Sequence, residues 1–382
     1  MESGGAPDLE RIIRNEIESS GPMPFARFMD LCLYHPTLGY YSRGLGGGGG
    51  RDYITSSGLH RAYGALLARQ AEEMWRLAGR PHRYQFVEFG PGEGHFACDF
   101  LRAADASAEF ARALQYVLVE SSPALRSRQQ ERLGCFAGGA KDQPYAPVWV
   151  NLADLERAGV AQGCLFANEV LDAFPVHRVI ATPLGPREMH VEVAGGALRS
   201  ALAPLSTPEL DLFLGESEIR LQEGQEVDLC LASPRFVARL AALLERGYLV
   251  IVDYGYLAAD LYHAGRRRGT LLAYHHHRVS EDFLARPGEQ DLTAHVDFTA
   301  VARAAEGSGM RVAGLTSQAR FLLALGALES LEGSDVAGRE ALKEMVLPDR
   351  MGGVFRVLML VKGELPATLR GLSTPWAEQV PA

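Results

Sequence analysis

A short apolar run, Tyr84–Phe89, leads directly into Gly90-Pro91-Gly92-Glu93-Gly94, and a helical stretch marked by Phe96, Phe100 and Leu101 follows. No other segment constrains the fold as strongly. Glycines at this spacing let a backbone turn sharply between strand and helix and let a ligand approach it closely. A dinucleotide fingerprint would need glycine where His95 stands, with an acid ~20 residues further on. The next suitably placed acid is Glu120, 28 residues after Gly92, and Glu88 two residues before the first glycine is also foreign to a nicotinamide site. Two readings stay open from these residues alone: a cofactor loop of another kind, or a corner that uses glycine only for packing.

Seven β-rich runs alternate with helical patterns: Tyr84–Phe89, Tyr116–Glu120, Val148–Asn151, Leu165–Asn168, Tyr248–Val252, Val312–Thr316 and Phe355–Val361. Such alternation predicts an α/β fold with a mostly parallel sheet covered by helices on both faces. Before it, Leu9, Ile12, Ile13 and Ile17 predict a helix stopped by Gly21-Pro22, and Phe25, Phe28, Met29 and Cys32 predict a second ended at His35-Pro36. The expected division is an N-terminal helical cap and lid segment over 1–78 and the first half of the core over 79–177. A strand-rich insertion over 178–230 follows, then the second half of the core over 231–363 and a tail over 364–382. Met189–Val193 alternates and meets Gly195-Gly196, which predicts a hairpin in the first insertion, and 255–297 reads as a functional loop inside the second half. The glycine-laden stretch 44–50 lacks the Lys-Ser/Thr of a phosphate loop and reads as a hinge or lid tip.

The balance of 38 basic against 47 acidic residues, a net charge of -9, argues against a nucleic-acid binder, and DNA is not an expected partner. No apolar run reaches ~18 residues, so no membrane span is expected. Five cysteines without a C-x-x-C pair and a start without an apolar signal core predict a reducing, cytoplasmic setting. His275-His276-His277 lacks acidic or cysteine partners at ligand spacing and reads as loop, with no metal expected. Arg266-Arg267-Arg268 reads either as a solvated run or as a docking patch for an acidic partner, and His295 and Asp297 either line a cleft or make structural hydrogen bonds.

Several motifs carry a resemblance. They are Tyr34-His35-Pro36, Gly39-Tyr40-Tyr41, Asp52-Tyr53-Ile54-Thr55-Ser56, Glu88 to Gly94, Leu118-Val119-Glu120-Ser121-Ser122-Pro123 with Gln129, Asn168-Glu169-Val170-Leu171-Asp172-Ala173-Phe174-Pro175, Gln290 to Phe298 and Gly314 to Gln318. In order, over residues 10 to 363, they resemble the MidA family of class I S-adenosylmethionine-dependent methyltransferases. The resemblance implies a Rossmann-like, seven-stranded mostly parallel sheet, S-adenosyl-L-methionine as cofactor and, for mitochondrial members, protein arginine methylation in complex I assembly. Two features depart from the family pattern: Thr55-Ser56-Ser57-Gly58 lacks the usual acid, and Val170 and Leu171 replace two aromatics.

On this resemblance the cofactor residues are Glu88, Gly90, Gly92, Gly94, Glu120, Ser121, Asn151 and Asn168, with Trp149 also at the adenine end. Glu120 suits the ribose because a carboxylate accepts from both hydroxyls. Glu169 and Asp172 follow the fourth strand, where ligand crevices of open α/β sheets lie. Glu169 is expected to orient an acceptor guanidinium, with Asp172 assisting or merely capping a turn, while Asp52 and Thr55 either close a lid or cap a turn. A protein arginine is the expected acceptor. The alternatives are a small molecule or RNA acceptor, or a non-catalytic assembly factor. The oligomeric state stays open, with a homodimer among the possibilities.

Overall fold

The computed structural model describes residues 6–45, 56–137, 146–216, 219–332 and 334–373. Two units alternate along the chain. The first gathers the described residues up to 45 with Leu171–Arg235 and Tyr256–Ala300, and the second gathers 56 to Val170, Phe236–Gly255 and the residues from Val301 onward.

The second unit is built on the expected sheet. Its strands are β1 (Tyr84–Phe89), β2 (Leu114–Val119), β3 (Val148–Val150), β4 (Val160–Asn168), β5 (Leu244–Tyr256), β6 (Met310–Ser317) and β7 (Phe355–Lys362). They lie in the order β6-β7-β5-β4-β1-β2-β3. All neighbours from β5 to β3 are parallel, and β7 runs antiparallel to both β5 and β6. Central strands buried on both faces explain the unbroken run Leu249–Val252, each residue at most 3% exposed. β4 begins five residues earlier than its apolar run suggests, because Gly163 interrupts the pattern while serving the ladder. A Cβ there would stand 2.1 Å from the Gln85 carbonyl oxygen.

Helices α1 (Ala62–Leu77), α2 (His95–Ala104) and α3 (Pro123–Arg132) bear on the site. The residues of α1 were grouped by sequence with the N-terminal cap. Here Tyr63, Leu66, Leu67, Met74 and Trp75 join the same buried cluster as Phe86, Phe96, Phe100, Tyr116 and Phe166. Ring centroids 4.3 Å apart for Phe86–Phe100 and 4.6 Å for Phe96–Phe166 hold α2 on the sheet. Pairs of this kind contribute about 0.5–1.5 kcal/mol beyond burial.

The first unit has its own core. Helix Ala6–Ser20 buries Leu9, Ile13 and Ile17, and helix Phe25–Tyr34 stops before His35 as expected. Strands Met23–Pro24, Gly185–Ala194, His177–Thr182 and Glu226–Leu229 are neighbours in that order, and Ala197–Ala203 pairs with Gly185–Ala194. The hairpin turns at Gly195-Gly196, both with positive φ, as a two-residue loop between right-twisted strands demands. Residues 255–297 are more ordered than the expected loop. They form a second small sheet of Leu272–His275, Arg278–Ser280 and Asp291–Thr293, strands of 3 or 4 residues that are too short to leave a periodic signature. His276 and His277 form its hairpin turn, with φ of 49° and 59°. The arginine run is spread over three partners: Arg266 over the Tyr256 ring at 5.0 Å, Arg267 on the Glu223 carbonyl and Arg268 on Glu281.

Candidate functional site

The glycine loop follows β1, as its sequence predicts. Gly90, Gly92 and Gly94 have φ of 62°, 53° and 80°, left-handed values that glycine alone adopts at little cost. A Cβ on Gly90 would come within 3.1 Å of Val170, whereas one on Gly92 would meet nothing within 4 Å and would jut into open space before the loop. Gly94 is the N-cap of α2.

Two carboxylates flank this loop. Glu88 is 4% exposed, and its Oε2 accepts from the Tyr116 hydroxyl at 2.6 Å. Burial, reinforced by the charge of Glu120, pushes the Glu88 carboxyl up to about 8 against the Tyr116 hydrogen bond. Glu120, one residue past β2, accepts from the backbone N of Ser122 at 2.7 Å and from Gln129 Nε2 at 3.0 Å. Burial raises it as well, more than these donors lower it. Gln129, on α3 and fully buried, also donates to the Gly92 carbonyl at 2.7 Å and accepts from Trp149 Nε1 at 3.0 Å. Ser121 is exposed beside Glu120.

A second group forms where β4 ends. The Tyr63 hydroxyl donates to Asn168 Oδ1 at 2.5 Å, and Asn168 Nδ2 donates to Glu169 Oε1 at 3.1 Å. Glu169 has φ of 53°, rare for a residue with a side chain. Its backbone N donates to the Val252 carbonyl at 2.9 Å, and that of Val170 to Asp253 Oδ2 at 3.2 Å. Asp253, fully buried within β5, thus fixes the strained turn that presents Glu169. Strain of this kind persists only where surrounding bonds over-determine it.

Asn151 caps the helix Leu152–Ala158: its Oδ1 accepts from Asp154 N at 2.8 Å and its Nδ2 donates to Asp154 Oδ2 at 2.7 Å. Asp172 belongs to the first unit, 6% exposed, with its carbonyl accepting from Ala294 N. Asp297, also in the first unit, accepts from Thr299 N and Ala300 N at the start of a helix, a structural task. Asp52 and Thr55 lie outside the described residues. Tyr63, Tyr116 and Asp253 were not anticipated. Asp253 could have been found as the acid that ends the apolar run Leu249–Val252, whereas nothing in sequence marks the two tyrosines apart from core residues.

Comparison with known proteins identifies relatives of this chain. A family profile described as S-adenosyl-L-methionine-dependent methyltransferase matches residues 66–316. The chain is 30% identical to mitochondrial protein arginine methyltransferase NDUFAF7 of Mus musculus, over 94% of this chain and 86% of that protein. It is also 30% identical to the mitochondrial NDUFAF7 homologue of Drosophila melanogaster, over 96% and 87%. A methyl transferase-like protein from Burkholderia thailandensis, solved with S-adenosyl-homocysteine, superposes with a TM-score of 0.85 at 30% identity, covering 98% of this chain and 96% of that one. The names of the relatives overturn the cytoplasmic expectation: they are mitochondrial proteins, a location that composition and cysteine usage do not reveal. Among the described residues, no helix is long and apolar enough to cross a membrane. With a seven-strand order, a glycine loop and a profile match over most of the core, the chain belongs to the MidA family of S-adenosyl-L-methionine-dependent methyltransferases.

Proposed function

We propose that this methyltransferase modifies an arginine side chain of a protein, with Glu169 as the group that grips and deprotonates the acceptor. The observation that carries the reading is the Glu169 carboxylate at the end of β4, held on a left-handed backbone and steadied by Asn168. The residues around the loop fit the cofactor. Open space faces Gly92, and Glu120 offers carboxylate oxygens that a ribose diol can share. In this reading Gly90, Gly92 and Gly94 admit the amino-acid end, with Glu88, Ser121 and Asn168 around it. Asn151 keeps only its backbone for the adenine end.

Bound S-adenosylmethionine would supply a methyl group already activated for in-line displacement. The protein supplies orientation and a destination for charge. A guanidinium stays protonated at neutral pH, with a pKa above ~12, so its nitrogen must shed a proton as the new N–C bond forms. A carboxylate on the guanidinium fork lowers the cost of both events: it holds two N–H groups in plane and receives the proton. By family resemblance, the acceptor is a subunit of a respiratory complex.

The test is methyl transfer from labelled S-adenosylmethionine into a mitochondrial extract, followed by acid hydrolysis. Label in methylarginine is the expected result, and label confined to RNA or small molecules would overturn the acceptor. Glu169→Gln should cut transfer by roughly 100- to 10,000-fold while S-adenosylhomocysteine still binds. Transfer at the wild-type rate would remove Glu169 from this role.

A further inference from the structure

Gln129 makes three side-chain hydrogen bonds in the second unit, and the mechanism above leaves it without a task. It is fully buried on α3, between three separate pieces of chain. One amide hydrogen goes to the Gly92 carbonyl at 2.7 Å, the other to Glu120 Oε2 at 3.0 Å, and the amide oxygen takes the Trp149 indole hydrogen at 3.0 Å. The chemistry of the partners dictates this orientation. A carbonyl and a carboxylate can only accept, and an indole can only donate, so the amide cannot be turned round without breaking all three bonds. Two arginines of the same helix reinforce the hold on the loop: Arg132 Nε donates to the Glu93 carbonyl at 2.8 Å, and Arg128 pairs with the Glu93 carboxylate at 3.2 Å.

We infer that Gln129 is a positioning residue for the cofactor, the single amide that sets the glycine loop, the ribose-binding carboxylate and the Trp149 indole in register with one another. The inference rests on the cofactor roles proposed above for Gly92 and Glu120. Its physical basis is the stiffness of a buried amide with every hydrogen-bonding group engaged. Gln129 takes one lone pair of Glu120 Oε2 and the Ser122 N–H one of Oε1, and the carboxylate keeps acceptor capacity for a diol. It also pins Gly92 at the point where the loop comes closest to open space. Removing it leaves a carbonyl, a carboxylate and an indole without their partner in a buried place, where an unmet polar group is costly. The loop, Glu120 and the indole would then relax independently, and the ligand would have to reorder them on binding.

Gln129→Met keeps the shape and removes all three bonds. Gln129→Glu keeps an acceptor for Trp149 and replaces the two donors with a second carboxyl against Glu120. Titration calorimetry with S-adenosylhomocysteine should show both variants binding ~10- to 100-fold more weakly than wild type. In nitrogen-15 spectra the Trp149 indole N–H signal should move in Gln129→Met and stay near its wild-type place in Gln129→Glu. Unaltered affinity in both variants, with the indole signal displaced in Gln129→Met, would reduce Gln129 to a structural residue and overturn the inference. Should either variant unfold, the wild-type protein decides: the Gln129 amide and Trp149 indole signals should both shift on titration, and saturable binding with neither signal moving would overturn it. Wild-type protein that binds no S-adenosylhomocysteine would instead overturn the cofactor roles of Gly92 and Glu120, and this inference with them.

Discussion

Glu88 in the second unit and Glu188 in the first are buried to nearly the same degree, 4% and 0% exposed, yet their acidities move in opposite directions. Burial opposes ionisation most strongly in both. At Glu188 it is overcome by two donors, His177 Nδ1 at 2.7 Å and the backbone N of Ser206 at 2.6 Å, with His190 Nε2 close by at 3.8 Å, and the carboxylate is held well below its ordinary 4.5. At Glu88 a single hydroxyl, Tyr116, faces the carboxyl, the charge of Glu120 works against it, and the group rises to about 8. The number of donors separates the two. A carboxylate saturated by its own protein stays ionised when buried, whereas one short of donors is pushed toward its neutral form.

The contrast can be broken most severely at the loop. Gly92→Val would place a β-branched side chain at φ 53° and in the open space before the loop. It should weaken S-adenosylhomocysteine binding more than ~100-fold, combining backbone strain with steric exclusion. Glu188→Gln should leave that affinity alone, and calorimetry on both reads the difference. Next in size is Glu188→Leu, which leaves His177 and the Ser206 amide without their acceptor. Losing one partner of such a buried group typically costs about 3–5 kcal/mol, measurable by urea unfolding. A loss below ~1 kcal/mol would mean that Glu188 is not the keystone its bonds suggest.

The two glutamates should also shape opposite limbs of the stability–pH curve. Glu188, with its folded value depressed, contributes stability that is present above its ordinary 4.5 and lost as pH falls below it. Glu88, with its folded value raised, contributes stability that is full below 4.5 and lost as pH rises through about 8. Melting curves from pH 3 to 9 should therefore show Glu188→Gln flattening the acid limb and Glu88→Gln flattening the alkaline one. Parallel curves for the two variants would erase the comparison. The smallest effect concerns the strained turn: Glu169→Gly should raise stability by about 1 kcal/mol by relieving φ 53°, even as methyl transfer is lost. A fall in stability would show that the carboxylate stabilises more than its backbone costs.

Much of this was legible in the chain. Tyr84–Phe89 could be read to the residue, because an apolar run of that length bounded by glycine has few other structures to enter. Glu120 and Glu169 could be read as candidates because acids that end apolar runs stand at the carboxyl edge of a parallel sheet. Asp253 obeys the same rule and was overlooked, since its run ends without a recognisable motif. Other features had no local signature. The strands of 3 or 4 residues within 272–293 are shorter than any period can reveal, and the start of the strand before Leu165 is hidden because the reason for Gly163, the Gln85 carbonyl, lies 78 residues away. Asn151 was expected to meet the cofactor, but its amide went to a helix cap, a use open to any asparagine before a helix.

Sequence alone determined the seven-strand rhythm, the glycine loop and its attendant acids, because periodicity and backbone freedom are local properties carried by each segment. Tertiary structure alone decided what those acids are. The distinction between Glu88 and Glu188, the hold of Asp253 on Glu169 and the triple grip of Gln129 all depend on donors and charges brought from far along the chain. An ionisable group takes its chemistry from the partners around it, and those partners are assembled only by folding.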